Sequence, residues 1–88
     1  MPQMNQFPVL AKNIDINPVE DGYVIYQHEK GKVHYLNHTA VLILELCTGN
    51  NSVETIIQLI LETFDLAETA KQGVKDCLTS LEKEGIIV

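Results

Sequence analysis

The apolar residues of this 88-residue chain change their spacing once, near Asn37, and this change restricts the fold more than any other feature. Before Asn37, residues 23–26 (YVIY) and 33–36 (VHYL) are short runs of aromatic and β-branched residues, which favour β-strands. The polar residues 29–32 between them are typical of a turn. After Asn37, apolar residues recur at helical spacing. The sequence therefore predicts a β-hairpin followed by a helical half.

A further strand is predicted ahead of the hairpin. Residues 9–16 alternate weakly between apolar and polar side chains, and the run ends at Pro18, which has no N–H to donate to a sheet. A turn at residues 20–22 (EDG) then leads into the hairpin. The first half of the chain is thus predicted to form a three-stranded antiparallel meander, with residues 9–16 as its least regular strand.

Two helices are predicted directly after the sheet. The first is capped by Asn37 or Thr39 and ends at Gly49. Because it is apolar almost all round, we expect it to lie centrally, between the sheet and the other helices. The second begins after Ser52, a good N-cap residue. Its apolar face consists of Val53, Ile56, Ile57, Ile60, Leu61 and Phe64.

A third helix and an apolar tail complete the chain. Asp65, with Glu68 three residues on, resembles a capping arrangement, and Gly85 is expected to end the helix. Its apolar face consists of Ala70, Val74, Cys77, Leu78 and Leu81. Residues 86–88 (IIV) must dock on the domain. The predicted fold class is α+β, a winged-helix-like domain with a three-stranded antiparallel meander followed by a three-helix bundle. It forms a single domain over residues 1–88, of which residues 1–8 are expected to be flexible.

The charge of the chain argues against binding to nucleic acid. The formal net charge is −6, and the six basic residues are all lysines. A DNA-binding surface needs clustered Lys and Arg to neutralise phosphates and favours Arg for reading guanine. The start of the chain shows no signal peptide and no aliphatic run is long enough for a membrane span, so we expect a cytoplasmic protein that binds no membrane.

No residue pattern predicts catalysis, a metal site or a cofactor. His28, His34 and His38 lack the reinforcing ligand spacing of a metal site. There is no nucleophile motif and no glycine-rich phosphate loop. Cys47 and Cys77 are too far apart for a CxxC motif, and we expect them to behave as small apolar residues. The sequence favours a protein that is not an enzyme.

The last strand of the meander is a candidate binding edge. As the outermost strand it is expected to present unpaired N–H and C=O groups to an incoming extended peptide. The alternatives are that a helix covers this edge or that a second copy covers it in a homodimer.

Four segments resemble proteins of the PqqD-like family, also called RiPP recognition elements. Residues 31–40 contain a Leu-Asn pair followed by Thr-Ala that opens a helix, and residues 43–49 resemble the family's helix ending in a glycine turn. Residues 52–56 open the next helix, and residues 78–87 resemble the closing signature of leucines, glycine and aliphatic residues. The resemblance extends from Gly22 to Val88.

The resemblance implies a non-catalytic peptide chaperone. Such proteins bind the leader of a ribosomally made precursor peptide, which adds as a strand to the third β-strand and packs against the third helix. A separate modifying enzyme, often a radical SAM protein, carries out the chemistry. On this chain the strand edge corresponds to Lys32, Val33, His34, Tyr35 and Leu36, and the helix wall to Val74, Lys75, Cys77, Leu78 and Leu81.

Two alternatives stay open at the level of sequence. Val74, Leu78 and Leu81 fit the core as well as they fit a groove, in which case Lys75 and Cys77 are the more groove-facing residues. For function, the alternative is a winged-helix DNA-binding regulator or a protein–protein scaffold.

Overall fold

The computed structural model describes residues 6–88 and confirms the α+β class. Three strands, β1 (Ile14–Val19), β2 (Gly22–Gln27) and β3 (Lys32–Leu36), form an antiparallel sheet in the order β1-β2-β3. Three α-helices follow: α1 (His38–Glu45), α2 (Val53–Thr63) and α3 (Lys71–Lys83). A 3-10 turn at Glu68–Ala70 leads directly into α3. The predicted meander followed by three helices is therefore confirmed.

The first strand lies later in the chain than the sequence indicated. The predicted range of residues 9–16 overlaps β1 only at residues 14–16: β1 begins at Ile14 because Asn13 adopts a left-handed backbone conformation, with φ of 59°, that interrupts extended structure. The strand also continues through Pro18, which was expected to end it. Proline is tolerated there because β1 is an edge strand, so its missing N–H costs no hydrogen bond within the sheet.

Residues 9–11 pair with the apolar tail at the other end of the chain. The N–H groups of Val9 and Ala11 donate to the carbonyls of Val88 and Ile86, at 3.0 and 2.9 Å, and the Val88 N–H donates back to Val9 at 2.8 Å. Ile86 and Ile87 are buried. The tail thus docks, as expected, and its partner is the segment that the sequence suggested as a strand of the meander.

The segment before Val9 is also attached to the helical half. The carbonyl of Pro8 accepts from the Gly49 N–H, and that of Gln6 accepts from the Val53 N–H, both at 3.0 Å. Flexibility was predicted for residues 1–8. Residues 1–5 lie outside the described residues, whereas residues 6–8 are held by these bonds.

Helix α1 is the centre of the core. Its Val41, Ile43 and Leu44 are buried, and the helix contacts α2, α3, β2 and β3. Ile43 and Leu44 belong to one apolar cluster with Ile25 of the sheet and Leu78 of α3. A helix that is apolar almost all round can bury every face in this way.

Two of the predicted caps form, and one does not. The side chain of Asn37, not that of Thr39, accepts from the Ala40 N–H at 2.8 Å, and Ser52 accepts from the Thr55 N–H at 3.1 Å. Asp65 does not cap the third helix, because its φ of 51° places it in the turn that ends α2. The Glu68–Ala70 turn begins without any side-chain cap.

Helix ends and exposed positions show smaller differences. α1 ends at Glu45, before the predicted Gly49, whose φ of 86° belongs to the following turn. Gly85, with φ of 79°, follows the C-cap of α3 as predicted. Phe64 was placed on the apolar face of α2 but lies beyond its last helical residue and is 39% exposed. None of the helices in residues 6–88 has the length and hydropathy needed to cross a membrane.

Candidate functional site

Strand β3 forms one edge of the sheet, since it pairs with β2 alone. In an antiparallel sheet, successive residues of a strand direct their N–H and C=O groups to opposite sides. The His28 N–H donates to the Asn13 carbonyl at 3.1 Å, which continues the β1–β2 register and assigns the even-numbered residues of β2 to bonds with β1. Pro18, which has no N–H, is opposite Tyr23 and agrees with this assignment.

The same alternation determines which groups of β3 face outward. Tyr23, Ile25 and Gln27 must direct their backbone groups toward β3, where they pair with Leu36, His34 and Lys32. The N–H and C=O groups that point away from the sheet therefore belong to Val33 and Tyr35. Within residues 6–88, no backbone group outside the sheet bonds to either of them.

Side chains on β3 alternate between the two faces of the sheet. Val33 and Tyr35 lie on the solvent face and are 60% and 58% exposed. His34 and Leu36 lie on the face toward the helices and are half-buried, and Lys32 at the start of the strand is exposed.

Tyr35 lies across the solvent face of the sheet. Its hydroxyl donates to the Asp21 carbonyl at 2.6 Å. A Cβ built on Gly22 would be 2.7 Å from that hydroxyl and 2.6 Å from the Leu36 carbonyl oxygen. The ring can adopt this position because residue 22 has no side chain.

The inner side of β3 is fixed to the end of α3. The His34 Nε2 hydrogen-bonds to Oε1 of Gln27, whose side chain is buried and whose Nε2 donates to the Glu84 carbonyl at 3.0 Å. Lys30 Nζ donates to the same carbonyl at 3.1 Å. These bonds join the hairpin to the C-terminal end of α3, so that the edge strand is held rigidly relative to the helix.

A groove of about 290 Å³ lies between α1 and α3, and its mouth includes Asn37, the residue directly after β3. Small side chains, Ala40, Ala70 and Gly73, give it room, and a Cβ added at Gly73 would meet nothing within 4 Å. The full lining consists of Asn37, Thr39, Ala40, Ile43, Leu66, Ala70, Gly73, Val74 and Cys77.

The structure divides the five predicted residues of α3 into two groups. Val74 and Cys77 line the groove. The other three do not line the groove. Leu78 and Leu81 are core residues, and Lys75 is exposed. The groove-facing side of α3 is thus the one that carries residues 73, 74 and 77, and Ala70 of the preceding 3-10 turn extends it.

Cys77 was among the predicted residues, but sequence reasoning missed the α1 wall and also Leu66, Ala70 and Gly73. The available signal was the spacing of three small side chains about one turn apart, Ala70, Gly73 and Cys77. A glycine inside a helix lowers helix stability, so its presence at position 73 indicates a site where space is needed.

The two thiols are suited to packing rather than to nucleophilic chemistry. Burial raises the pKa of the Cys77 thiol. Burial, with a smaller contribution from neighbouring Cys77, raises the pKa of Cys47 to about 11. Cys47 Sγ donates to the Ile43 carbonyl at 3.3 Å. Both thiols are free and protonated at neutral pH, so Cys77 gives the groove a neutral, weakly polar wall.

The three histidines have three different neighbours. His28 pairs with Asp15, His34 with Gln27, and the His38 ring packs edge-to-face on Tyr23 with 5.5 Å between centroids. Among residues 6–88, no cluster of His, Cys, Asp or Glu has the arrangement of a metal site.

An antiparallel meander with an open third strand, next to a groove between two of the three following helices, defines a winged-helix-like α+β domain. The family model described as coenzyme PQQ synthesis protein D (PqqD) matches residues 22–87. The chain therefore belongs to the PqqD family. This confirms the resemblance found in the sequence, over nearly the same residues.

Solved structures show the same fold. A lasso peptide synthetase B1 complexed with the leader peptide matches with a TM-score of 0.76 at 23% identity, covering 93% of this chain and 98% of that chain. TbiB1 in complex with the TbiA(β) leader peptide matches with a TM-score of 0.74 at 16% identity, covering 90% and 93%. No protein with a curated description matches the chain.

Proposed function

We propose that this protein binds the leader of a ribosomally synthesised precursor peptide by strand addition to β3 and presents it to a modifying enzyme. The observation that carries this proposal is the pair of outward-facing residues Val33 and Tyr35 beside the groove between α1 and α3. Membership of the PqqD family supports it, as do the two structures of the same fold that are complexes with leader peptides.

Strand addition would use the backbone of the incoming peptide and the side chains on its inner face. The N–H and C=O groups of Val33 and Tyr35 would bond to its backbone, and each such bond contributes about 0.5–1.5 kcal/mol net. Side chains on the inner face of the peptide would point in the same direction as His34 and Leu36, toward the helices, and those nearest Asn37 would reach the groove. Main-chain bonds would thus supply affinity for many sequences, and the groove would select among them.

The proposed role is binding without catalysis, as is general for PqqD-like recognition elements. The peptide-modifying reaction would belong to a separate enzyme, which in this family is often a radical SAM protein. Because the substrate is a ribosomal product, we propose the cytoplasm as the place of action. No cofactor is required for binding.

The test is a titration of the ¹⁵N-labelled protein with the leader of a short peptide encoded beside its gene. We expect chemical-shift changes in residues 32–37 and in the groove-lining part of α3, and slower exchange of the Val33 and Tyr35 amide protons. Unchanged spectra at saturating peptide would refute the proposal.

A pair of variants at Val33 isolates the main-chain contribution. Val33→Pro removes an outward N–H that bonds to no backbone group outside the sheet, so β2–β3 pairing is retained. We expect it to weaken leader binding by about 5- to 10-fold, the equivalent of one hydrogen bond. Val33→Ala keeps the N–H and serves as the control, with a smaller loss. Equal losses for the two variants would contradict strand addition at this edge.

A further inference from the structure

The solvent face of the sheet carries an apolar surface on the side opposite the helices. Tyr26 of β2 is 37% exposed, and Val33 and Tyr35 of β3 are more exposed still. Ile25, on the other face of the same strand, is fully buried against the core. We call this surface the outer sheet face. It consists of Val19, Val24, Tyr26, Val33 and Tyr35.

Tyrosine and valine at the centre of such a face are typical of protein interfaces. Contiguous exposed apolar groups rimmed by polar residues mark interaction sites, and aromatic residues are enriched in them. The Tyr35 ring is held in place by the bond from its hydroxyl to Asp21, and the Tyr26 ring packs on His28 at 4.4 Å between centroids. A partner would therefore meet ordered side chains and pay little conformational entropy for them.

The charges around the outer sheet face indicate the chemistry of that partner. The acidic neighbours of this face are Asp15, which is directly opposite Tyr26 and pairs with His28, and Glu20, Asp21 and Glu29, which are exposed in the turns at the ends of the strands; we call these residues its rim. Lys30, in the hairpin turn, is directed toward the Glu84 carbonyl at the end of α3 and not toward this rim. A second copy would oppose like charges, in a protein whose formal net charge is −6. A partner with Lys and Arg around an apolar centre is complementary to this face.

The outer sheet face is also continuous with the proposed peptide site. Val33 and Tyr35 offer their backbone groups to the leader and their side chains to the outer sheet face. A leader strand added beside them would extend the sheet, and its outward side chains would lie next to Val33 and Tyr35. A protein docked here would contact the chain and the bound leader together.

We propose that the outer sheet face is the docking surface for the modifying enzyme, which approaches through an apolar patch rimmed by basic residues and is helped by the outward side chains of the bound leader. This inference rests on the proposed function, since it takes the enzyme to be the protein that receives the leader. It adds the location of that contact and the charge of the partner.

Two lysine substitutions test the docking surface. Tyr26→Lys and Val19→Lys place a positive charge on the outer sheet face without changing β3; Tyr26 lies one strand in from the β3 edge, opposite Val33, and Val19 lies on β1. Tyr26 is also directly opposite Asp15, whose carboxylate pairs with His28, so the new lysine lies beside an acidic side chain at an exposed position. Leu59→Lys on α2 is the matched control, because Leu59 is 36% exposed, almost the same as Tyr26.

The measurement is the Kd of the purified enzyme encoded beside this protein's gene, with and without the leader, by biolayer interferometry. We expect Tyr26→Lys and Val19→Lys to weaken enzyme binding at least about tenfold, a loss typical of interface centres. Leader affinity should be unchanged for both, and Leu59→Lys should bind the enzyme normally. Wild-type binding should also weaken between about 0.05 and 0.5 M NaCl, because screening shields a charged rim.

Each other outcome is decisive. If the wild type binds both leader and enzyme but both lysine variants bind the enzyme normally, the docking surface is refuted and the proposed function stands. If the wild type binds the leader but not the enzyme, the docking surface and the presenting role are both refuted, and only leader binding stands. If the wild type fails to bind the leader, the proposed function itself fails. If sedimentation shows a dimer that Tyr26→Lys abolishes, the face belongs to a second copy and the inference is overturned.

Discussion

At the scale of single residues, position 73 shows how a missing side chain shapes the groove. Gly73 is exposed in the first half of α3, where a glycine lowers helix stability by about 0.5–1 kcal/mol relative to alanine. It lines the groove together with Ala70 and Val74. The space that it leaves is needed if a leader side chain is to enter between α1 and α3.

Two substitutions at Gly73 are expected to separate stability from binding. Gly73→Ala should raise the free energy of unfolding by about 0.4–1 kcal/mol, since the added Cβ meets no other group within 4 Å. Gly73→Leu should also favour the helix, but its side chain would fill the groove and weaken leader binding at least about tenfold. Urea unfolding and fluorescence anisotropy measure the two effects. A Gly73→Leu variant that binds the leader normally would place the leader outside the groove.

The sequence predicted the range of β3 but not the two residues within it whose backbone groups are free. That distinction depends on which pairs of β1 and β2 are hydrogen-bonded, and so on the position of β1, which was predicted five residues too early. Pro18 contained the missing information. A proline in an edge strand has its nitrogen facing outward, and together with the register of the two strand pairs this condition determines the alternation across the whole sheet.

At the scale of elements, the junction between β3 and α1 combines two roles in Asn37. Its side chain caps α1, and the residue lies at the mouth of the groove. The end of the edge strand and the start of the central helix are thereby fixed at one residue. The β3 edge and the groove thus meet at Asn37.

Replacing the cap should destabilise the protein measurably. Asn37→Ala is expected to lower the free energy of unfolding by about 0.5–2 kcal/mol, because the Ala40 N–H loses its acceptor. Thr39→Ala is the control, since Thr39 was the other candidate cap and accepts no such bond. Urea unfolding of the two variants measures the difference. Equal decreases in the free energy of unfolding for the two variants would show that the Asn37 cap does not stabilise the protein.

Elements with a strong periodic pattern were predictable, and their boundaries were less so. The apolar repeat and Ser52 define α2, and its observed start agrees with the prediction. The observed start of the third helix differs from the predicted one. The spacing of Asp65 and Glu68 is that of a capping pattern, but it does not reveal the left-handed conformation that Asp65 adopts. The wall that α1 contributes to the groove was not predictable either, since a helix that is apolar all round has no face distinguished by its pattern.

At the scale of the whole molecule, the two ends of the described chain are joined by hydrogen bonds. Residues 9–11 pair with residues 86–88, and Ile86 and Ile87 are buried beneath this pairing. The sequence indicated that the apolar tail must dock, but not where. The pairing is between segments far apart in the chain, and no local pattern encodes such a contact.

The tail should contribute strongly to overall stability. Ile87 is 1% exposed, and Ile87→Ala is expected to lower the free energy of unfolding by about 2–5 kcal/mol through loss of burial and the cavity left behind. Val88 is 55% exposed, so Val88→Ala keeps its backbone bonds and should change stability by less than about 0.5 kcal/mol. Thermal and urea unfolding measure both. Similar effects for the two variants would mean that the tail is not part of the core.

The two edges of the sheet are unequal, and this sets how many peptides one molecule can hold. On the β1 side, Pro18 removes one of the outward donors, whereas the β3 side carries the donors and acceptors of Val33 and Tyr35 and leads directly into Asn37, which lines the groove. The proposed leader site lies on the β3 side alone, so we expect one leader per molecule, in a 1:1 complex. Such a complex would deliver one substrate at a time to the modifying enzyme.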